Sequence, residues 1–141
     1  MKREEIESVL AEWTEAWKHR DAVALAAPYS EDAAYDSTLA GTIRGREAIE
    51  ELYRSWFSAF PDMTFEVEGR LIDGNQAVII WSQRGKHMGE FCGLAGTGRS
   101  FVVRGVFFMV FDEGRITTMR SLYDFTGLLV QIGALKAKPA V

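Results

Sequence analysis

The chain has 141 residues, enough for one domain with a real core. Its 48% hydrophobic and 26% charged content is ordinary for a soluble globular protein, and the net charge is −4 with a pI near 5.2. No Lys/Arg cluster shares one face, which argues against nucleic acid. The single cysteine, Cys92, excludes an internal disulfide and a multi-cysteine zinc site, and His19 and His87 are too few for a His-rich metal site.

The opening "MKREEIESVL" is charged and periodic, unlike a signal peptide. No apolar run approaches the roughly 18 residues a membrane span needs, so the expected location is the cytoplasm. Ile6, Val9, Leu10, Trp13 and Trp17 follow helical spacing and predict a helix over residues 3–19. Asp21 is placed to cap a short second helix running to Ala27, which Pro28 closes. "EDAAYDST" reads as a short strand. "GREAIEELYRSWFSAF" reads as a long helix, with Ile49, Leu52, Tyr53, Trp56, Phe57 and Phe60 on one side and Pro61 as its stop.

The remainder is β in pattern. "TFEVEGRLID" alternates and runs into a turn at Asp73-Gly74. "AVIIWSQRGKHMGEF" predicts one long strand, "GLAGTGRS" a connection, and "FVVRGVFFMVF" a very apolar strand. "DEG" turns the chain into "RITTMRSLYDF", and "TGLLVQIGAL" reads as a terminal helix. Helices followed by a long antiparallel meander define a single α+β domain over residues 1–141. Such a sheet curls around its helices into a cone with one open end, a natural place for a ligand pocket.

Within "GLAGTGRS", Gly93, Gly98, Arg99 and Ser100 fall one residue short of a phosphate-binding loop. The basic residue is Arg rather than Lys, and a strand rather than a helix follows, so a plain strand connection is the expectation. Trp56 and Trp81 sit where they would line a cavity for a flat apolar ligand. His87 falls late in its strand, on the face of Trp81 and Gln83, and reads as a hydrogen-bonding residue at a pocket rim. Tyr35 and Ser37 share one face of the first strand and Asp36 takes the other.

Asp124 lies between Tyr123 and Phe125 in an apolar stretch, where a buried charge is costly unless paired. Alternation groups it with Thr118, Arg120 and Leu122. Arg120 is out of direct reach, since four strand residues span roughly 13 Å. Arg104 on the preceding strand is the other candidate partner. Paired with an arginine, Asp124 would be structural; unpaired against an apolar cavity, it would suit general acid–base work. The residues alone leave both open.

Certain stretches together resemble the SnoaL-like polyketide cyclases of the NTF2-like superfamily over nearly the whole chain. They are "YSEDAAYDS", "GREAIEELYRSWFSAFPD", "GKHMGEFCGLAGTGRSFVVRGVFFMVFDEGRI" and "LYDFTGLLVQIGAL". The resemblance implies an α+β cone with an enclosed apolar pocket, a homodimer packed through the sheet, and no cofactor. It implies that Asp124 is the acid–base of an intramolecular aldol closure. That chemistry needs little beyond a positioned carboxylate in a dry cavity, because the substrate's carbonyls stabilise the enolate.

The chain departs from the family pattern in two places. Arg120 stands where many relatives carry Trp, and the first strand reads Tyr35-Asp36-Ser37-Thr38 rather than Tyr-His-Asp-Pro. Ketosteroid isomerases of the superfamily place their base at about the Ser37 position. Limonene-epoxide-hydrolase-like relatives use an Arg-x-Asp that here reads Arg104-Gly105-Val106. The expectation is thus a cofactor-independent enzyme acting on a small apolar, partly oxygenated substrate. Asp124 would be catalytic, His87, Arg104 or Arg120 would position an oxygen, and Tyr35 would donate a hydrogen bond. Trp56, Trp81 and Phe107 would shape the pocket. Alternatives are a non-catalytic small-molecule-binding dimer, or an isomerase- or epoxide-hydrolase-like activity of the same superfamily.

Overall fold

A computed structural model describes residues 2–136. Helix α1 (Arg3–Lys18) opens it, with Glu4 and Glu5 in the first turn and Lys18 in the last, the polarity a helix dipole favours. Its Ile6, Leu10, Trp13, Ala16 and Trp17 are buried, a single stripe at helical spacing. Helix α2 (Ala22–Ala26) follows, and the Asp21 carboxylate accepts from the Ala24 N–H at 3.1 Å. Strands β1 (Tyr29–Ser37) and β2 (Gly41–Arg44) form a hairpin. Helix α3 (Arg46–Ala59) comes next, then β3 (Thr64–Asp73), β4 (Gln76–Lys86), β5 (Ser100–Asp112), β6 (Arg115–Tyr123) and the short α4 (Phe125–Gln131).

The strands form one six-stranded sheet in the order β2-β1-β6-β5-β4-β3. All pairs are antiparallel except β1 with β6. Register shifts at Val67/Gly69 and Val110/Phe111 mark bulges, the device that bends strands and lets a sheet curve. The helices α1 to α3 cover its inner face. The mixed α+β class and the curved sheet are therefore as the sequence predicts. Strand β2 was not anticipated: it has four residues, and only Ile43 is even half-buried, so no alternation marks it. The strand expected over residues 77–91 ends at Lys86.

Aromatic rings fill the space between α1, α3 and the sheet. Phe107 lies 5.0 Å from Trp81 and 5.4 Å from Trp13, centroid to centroid, while Trp17 stacks on Phe65 at 4.8 Å. Burying each such ring stabilises the fold by about 1.5–3 kcal/mol. Gly105 makes one of these contacts possible. A Cβ there would lie 2.5 Å from both Trp81 Cζ2 and the Leu122 carbonyl oxygen, so only a bare backbone lets the Trp81 ring lie against β5.

The terminal helix explains the "LLVQIG" run. Strand β6 ends at Tyr123, opposite Gly105, which leaves the start of β5 without a neighbour on that side. The Gln131 amide takes the missing strand's place. Its Oε1 accepts from the Val102 N–H at 2.8 Å and its Nε2 donates to the Val102 carbonyl at 2.9 Å. Leu128 and Ile132 are fully buried beneath it, and Gly133, at φ +85°, supplies the left-handed residue that ends the helix.

Candidate functional site

A narrow cavity of about 20 Å³ opens between the helices and the sheet. A single water needs roughly 10–15 Å³, so in this conformation it admits about one. Trp17 reaches it from α1, Tyr53 and Trp56 from α3, and Tyr35 and Ser37 from β1. Trp81 and Gln83 come from β4, Val103 and Phe107 from β5, and Ser121 and Tyr123 from β6. Six elements thus contribute, and none of the lining side chains is charged.

The hydroxyls form a buried set. The Oη of the lining residue Tyr53 lies 2.7 Å from Tyr29 Oη in the core behind it. Burial pushes the Tyr53 phenol up to about 12 despite the opposing bond from Tyr29, and it pushes Tyr123 up as well. Burial also raises Tyr29 and Tyr35, and the neighbouring Tyr53 adds to both. These phenols stay protonated at neutral pH, so they act as hydrogen-bond donors and not as bases. Ser37 Oγ accepts from the Leu39 and Ala40 N–H groups, both at 3.3 Å, which fixes it at the β1 turn.

Of the residues singled out in the sequence, Tyr35, Trp56, Trp81 and Phe107 line the cavity. Arg104, Arg120, His87 and Asp124 do not. Arg104 and Arg120 are exposed on the outer face of the sheet, where Arg104 Nε faces Glu68 at 3.8 Å and Arg120 Nε faces Asp36 at 3.5 Å. β6 alternates as its sequence predicts, but its inner face is the other one, carrying Met119, Ser121 and Tyr123.

His87 is corrected from pocket rim to core. It lies just beyond β4, fully buried, beside the rings of Phe60 and Phe91. Its Nδ1 accepts from the Thr97 N–H at 3.3 Å, so the proton sits on Nε2. The histidine therefore ties the glycine-rich connection to the end of the strand.

Asp124 is exposed and serves as N-cap of α4, its Oδ1 accepting from the Gly127 N–H at 2.9 Å. Among the described residues no arginine is paired with it; its only tie to Arg104 is a backbone bond of 3.4 Å. Tyr123, next to it in sequence, is the last residue of the cavity wall.

Tyr53, Ser121 and Tyr123 were not anticipated as lining residues. For the two on β6 spacing gave no clear signal: Met119 and Tyr123 share the alternation of Ser121, but Ile116 and Leu122, equally bulky, share the other.

The geometry is that of the ketosteroid isomerase and NTF2-like α+β fold. AclR from Streptomyces galilaeus superposes with a TM-score of 0.84 at 22% identity, over 98% of this chain and 91% of its own. A SnoaL-like protein from Jannaschia gives 0.83 at 21%, over 94% and 93%. A protein of ketosteroid isomerase-like fold from Catenulispora acidiphila, solved with trimethylamine, gives 0.76 at 20%, over 89% and 92%. No curated relative matches by sequence. The SnoaL-like polyketide cyclase family matches residues 7–132, and the chain belongs to that family. No helix among the described residues is long and apolar enough to cross a membrane.

Proposed function

We propose that the chain is a cofactor-independent enzyme of cyclase or isomerase type. It performs carbonyl acid–base chemistry, in the family's form an aldol-type ring closure, on a small, partly oxygenated apolar substrate. The observation that carries this reading is the convergence of five neutral hydroxyls and one amide on a single aromatic cavity: Tyr35, Ser37, Tyr53, Ser121, Tyr123 and Gln83. Such donors hold a carbonyl oxygen, and they bind it more strongly as a departing α-proton leaves negative charge on it. Family membership supports the reaction class.

The proton acceptor in this reading is Asp124. It follows the lining residue Tyr123 directly, and among the described residues no cation neutralises it. Asp36 also adjoins lining residues, but Arg120 holds it outside. Asp124 exchanges its Gly127 N–H for the substrate's proton, takes that proton from carbon, and returns it to the new alkoxide. A second reading, a non-catalytic binding protein, is favoured by one observation: no carboxylate or imidazole lines the cavity. In both readings the protein is a cytoplasmic homodimer packed through the sheet. Ile80, Val106 and Leu122 lie side by side across β4, β5 and β6 on the outer face and supply an apolar stripe for that contact.

Exchange of the α-protons of 1-indanone in D₂O, followed by proton NMR, tests the chemistry without knowledge of the natural substrate. The wild type is expected to accelerate exchange. Asp124→Asn is expected to abolish the acceleration while leaving the melting temperature unchanged, because Asn caps a helix as well as Asp does. Exchange that Asp124→Asn does not alter would remove Asp124 from the mechanism and favour the binding reading.

A further inference from the structure

The cavity wall contains donors that no described residue satisfies. Trp17 Nε1 on α1, Trp81 Nε1 on β4 and Tyr123 Oη on β6 are each fully enclosed and without a hydrogen-bond partner among the described residues, and all three residues line the cavity. Leaving one such group unpaired costs about 1–3 kcal/mol, and native folds leave few. Three of the six such atoms among the described residues belong to residues of this one wall. A single water, all the present volume admits, accepts only two hydrogen bonds and leaves at least one donor unmatched.

We infer that the cavity selects an uncharged, flat ligand of at most two fused rings, bearing at least two hydrogen-bond-accepting oxygens that meet Trp17, Trp81 and Tyr123. This rests on the proposed function only in placing the ligand in the same cavity. The limits come from the walls. Trp17 is stacked on Phe65 and Phe107 at 4.8 and 6.1 Å, and Trp81 on Phe107 at 5.0 Å, so these rings are held. Trp56 is the only half-buried tryptophan of the wall, although it packs on Phe60, Phe91 and Tyr123 at 5.5, 5.3 and 5.7 Å; a ligand that displaces it takes the space of one indole, two fused rings. The absence of a charged lining residue excludes an ionic ligand, since a buried charge without a partner is strongly disfavoured. Tyr123 and Trp81, 6.3 Å apart between ring centroids, converge closely enough to serve neighbouring oxygens.

Three bicyclic probes of similar size test this: coumarin (neutral, two acceptors), naphthalene (no acceptor) and 2-naphthoate (anionic). Binding is followed through the indole N–H signals in ¹⁵N–¹H NMR, assigned with single Trp→Phe variants. Coumarin is expected to bind at least about tenfold tighter than either comparator, the ratio one or two buried hydrogen bonds provide. It alone should move the Trp17 and Trp81 indole protons downfield. Tyr123→Phe should reduce the coumarin-to-naphthalene ratio severalfold; should that variant not fold, the indole shifts in the wild type carry the test. Equal binding of naphthalene, tightest binding of 2-naphthoate, or unmoved indole signals would overturn the inference. Such a failure with 1-indanone exchange intact leaves the acid–base reading in place. Coumarin preference without any exchange sinks the acid–base reading alone.

Discussion

The inner and outer faces of β4, β5 and β6 are built from alternate residues of the same strands, yet they follow opposite rules. Inside, Trp81, Gln83, Phe107, Ser121 and Tyr123 place rings and neutral polar groups around a cavity without charge. Outside, Arg104 and Arg120 meet Glu68 and Asp36 in water, beside the apolar Leu122. The difference follows from desolvation. A hydroxyl enclosed among aromatic rings loses modestly, and less where it is paired as Tyr53 is with Tyr29, whereas an arginine there would lose several kcal/mol without a paired carboxylate. The inner face therefore carries neutral groups at the cavity, and the charges keep the outer surface hydrated.

Several changes would break or sharpen that contrast. The largest effect is expected at alkaline pH. The interior tyrosines hold their protons more tightly in the folded state than in the unfolded chain, where a phenol titrates near 10. The stability this contributes is complete below pH 10 and is lost as pH rises through the raised values. For Tyr53 the loss runs from 10 to about 12, at ~1.4 kcal/mol per pH unit. Tyr29, Tyr35 and Tyr123 add in the same direction. Urea titrations at pH 8, 10 and 11 check this; constant stability over that range would mean that the phenols are hydrated.

Next in size is Phe107→Ala, which opens the middle of the aromatic layer and is expected to cost about 3–5 kcal/mol in urea unfolding. Tyr53→Phe should cost roughly 1–3 kcal/mol, because it leaves the Tyr29 hydroxyl, 2.7 Å away, without its partner. Asp124→Ala should cost about 1 kcal/mol through the lost α4 cap, with Asp124→Asn near neutral. A large loss in the Asn variant would mean that the carboxylate's charge, not its cap, holds the helix. Smallest of all is Arg104→Gln, whose exposed pair with Glu68 is worth under about 1 kcal/mol. A larger effect there would place the arginine at a subunit contact, which light scattering would detect as a change in mass.

How much of this was legible in the sequence varies by feature. Long periodic elements were clear: Ile6, Leu10, Trp13 and Trp17 define α1, and the alternation of residues 64–73 defines β3. Strand β2 was hidden because four edge residues bury too little to impose a pattern. On β6, spacing separated the two faces but did not say which was inner. Bulky side chains stand on both alternations, Ile116 and Leu122 with Asp124 and Met119 and Tyr123 opposite, so only the packing of the helices decides between them. His87 looked like a strand residue because nothing local reveals that the chain leaves β4 at Lys86 and that Thr97, ten residues on, supplies its partner. Gln131 was visible only as part of a motif; its task depends on where β6 stops, a property of the whole sheet.

The most direct test of where function resides is a crystal structure with coumarin bound at high occupancy. The expected result places the ligand between Trp81 and Tyr123, with Trp56 turned aside and a ligand oxygen within hydrogen-bond distance of Tyr123 Oη. A ligand on the outer face beside Arg104 or Arg120, or a cavity that stays closed at saturating coumarin, would contradict it.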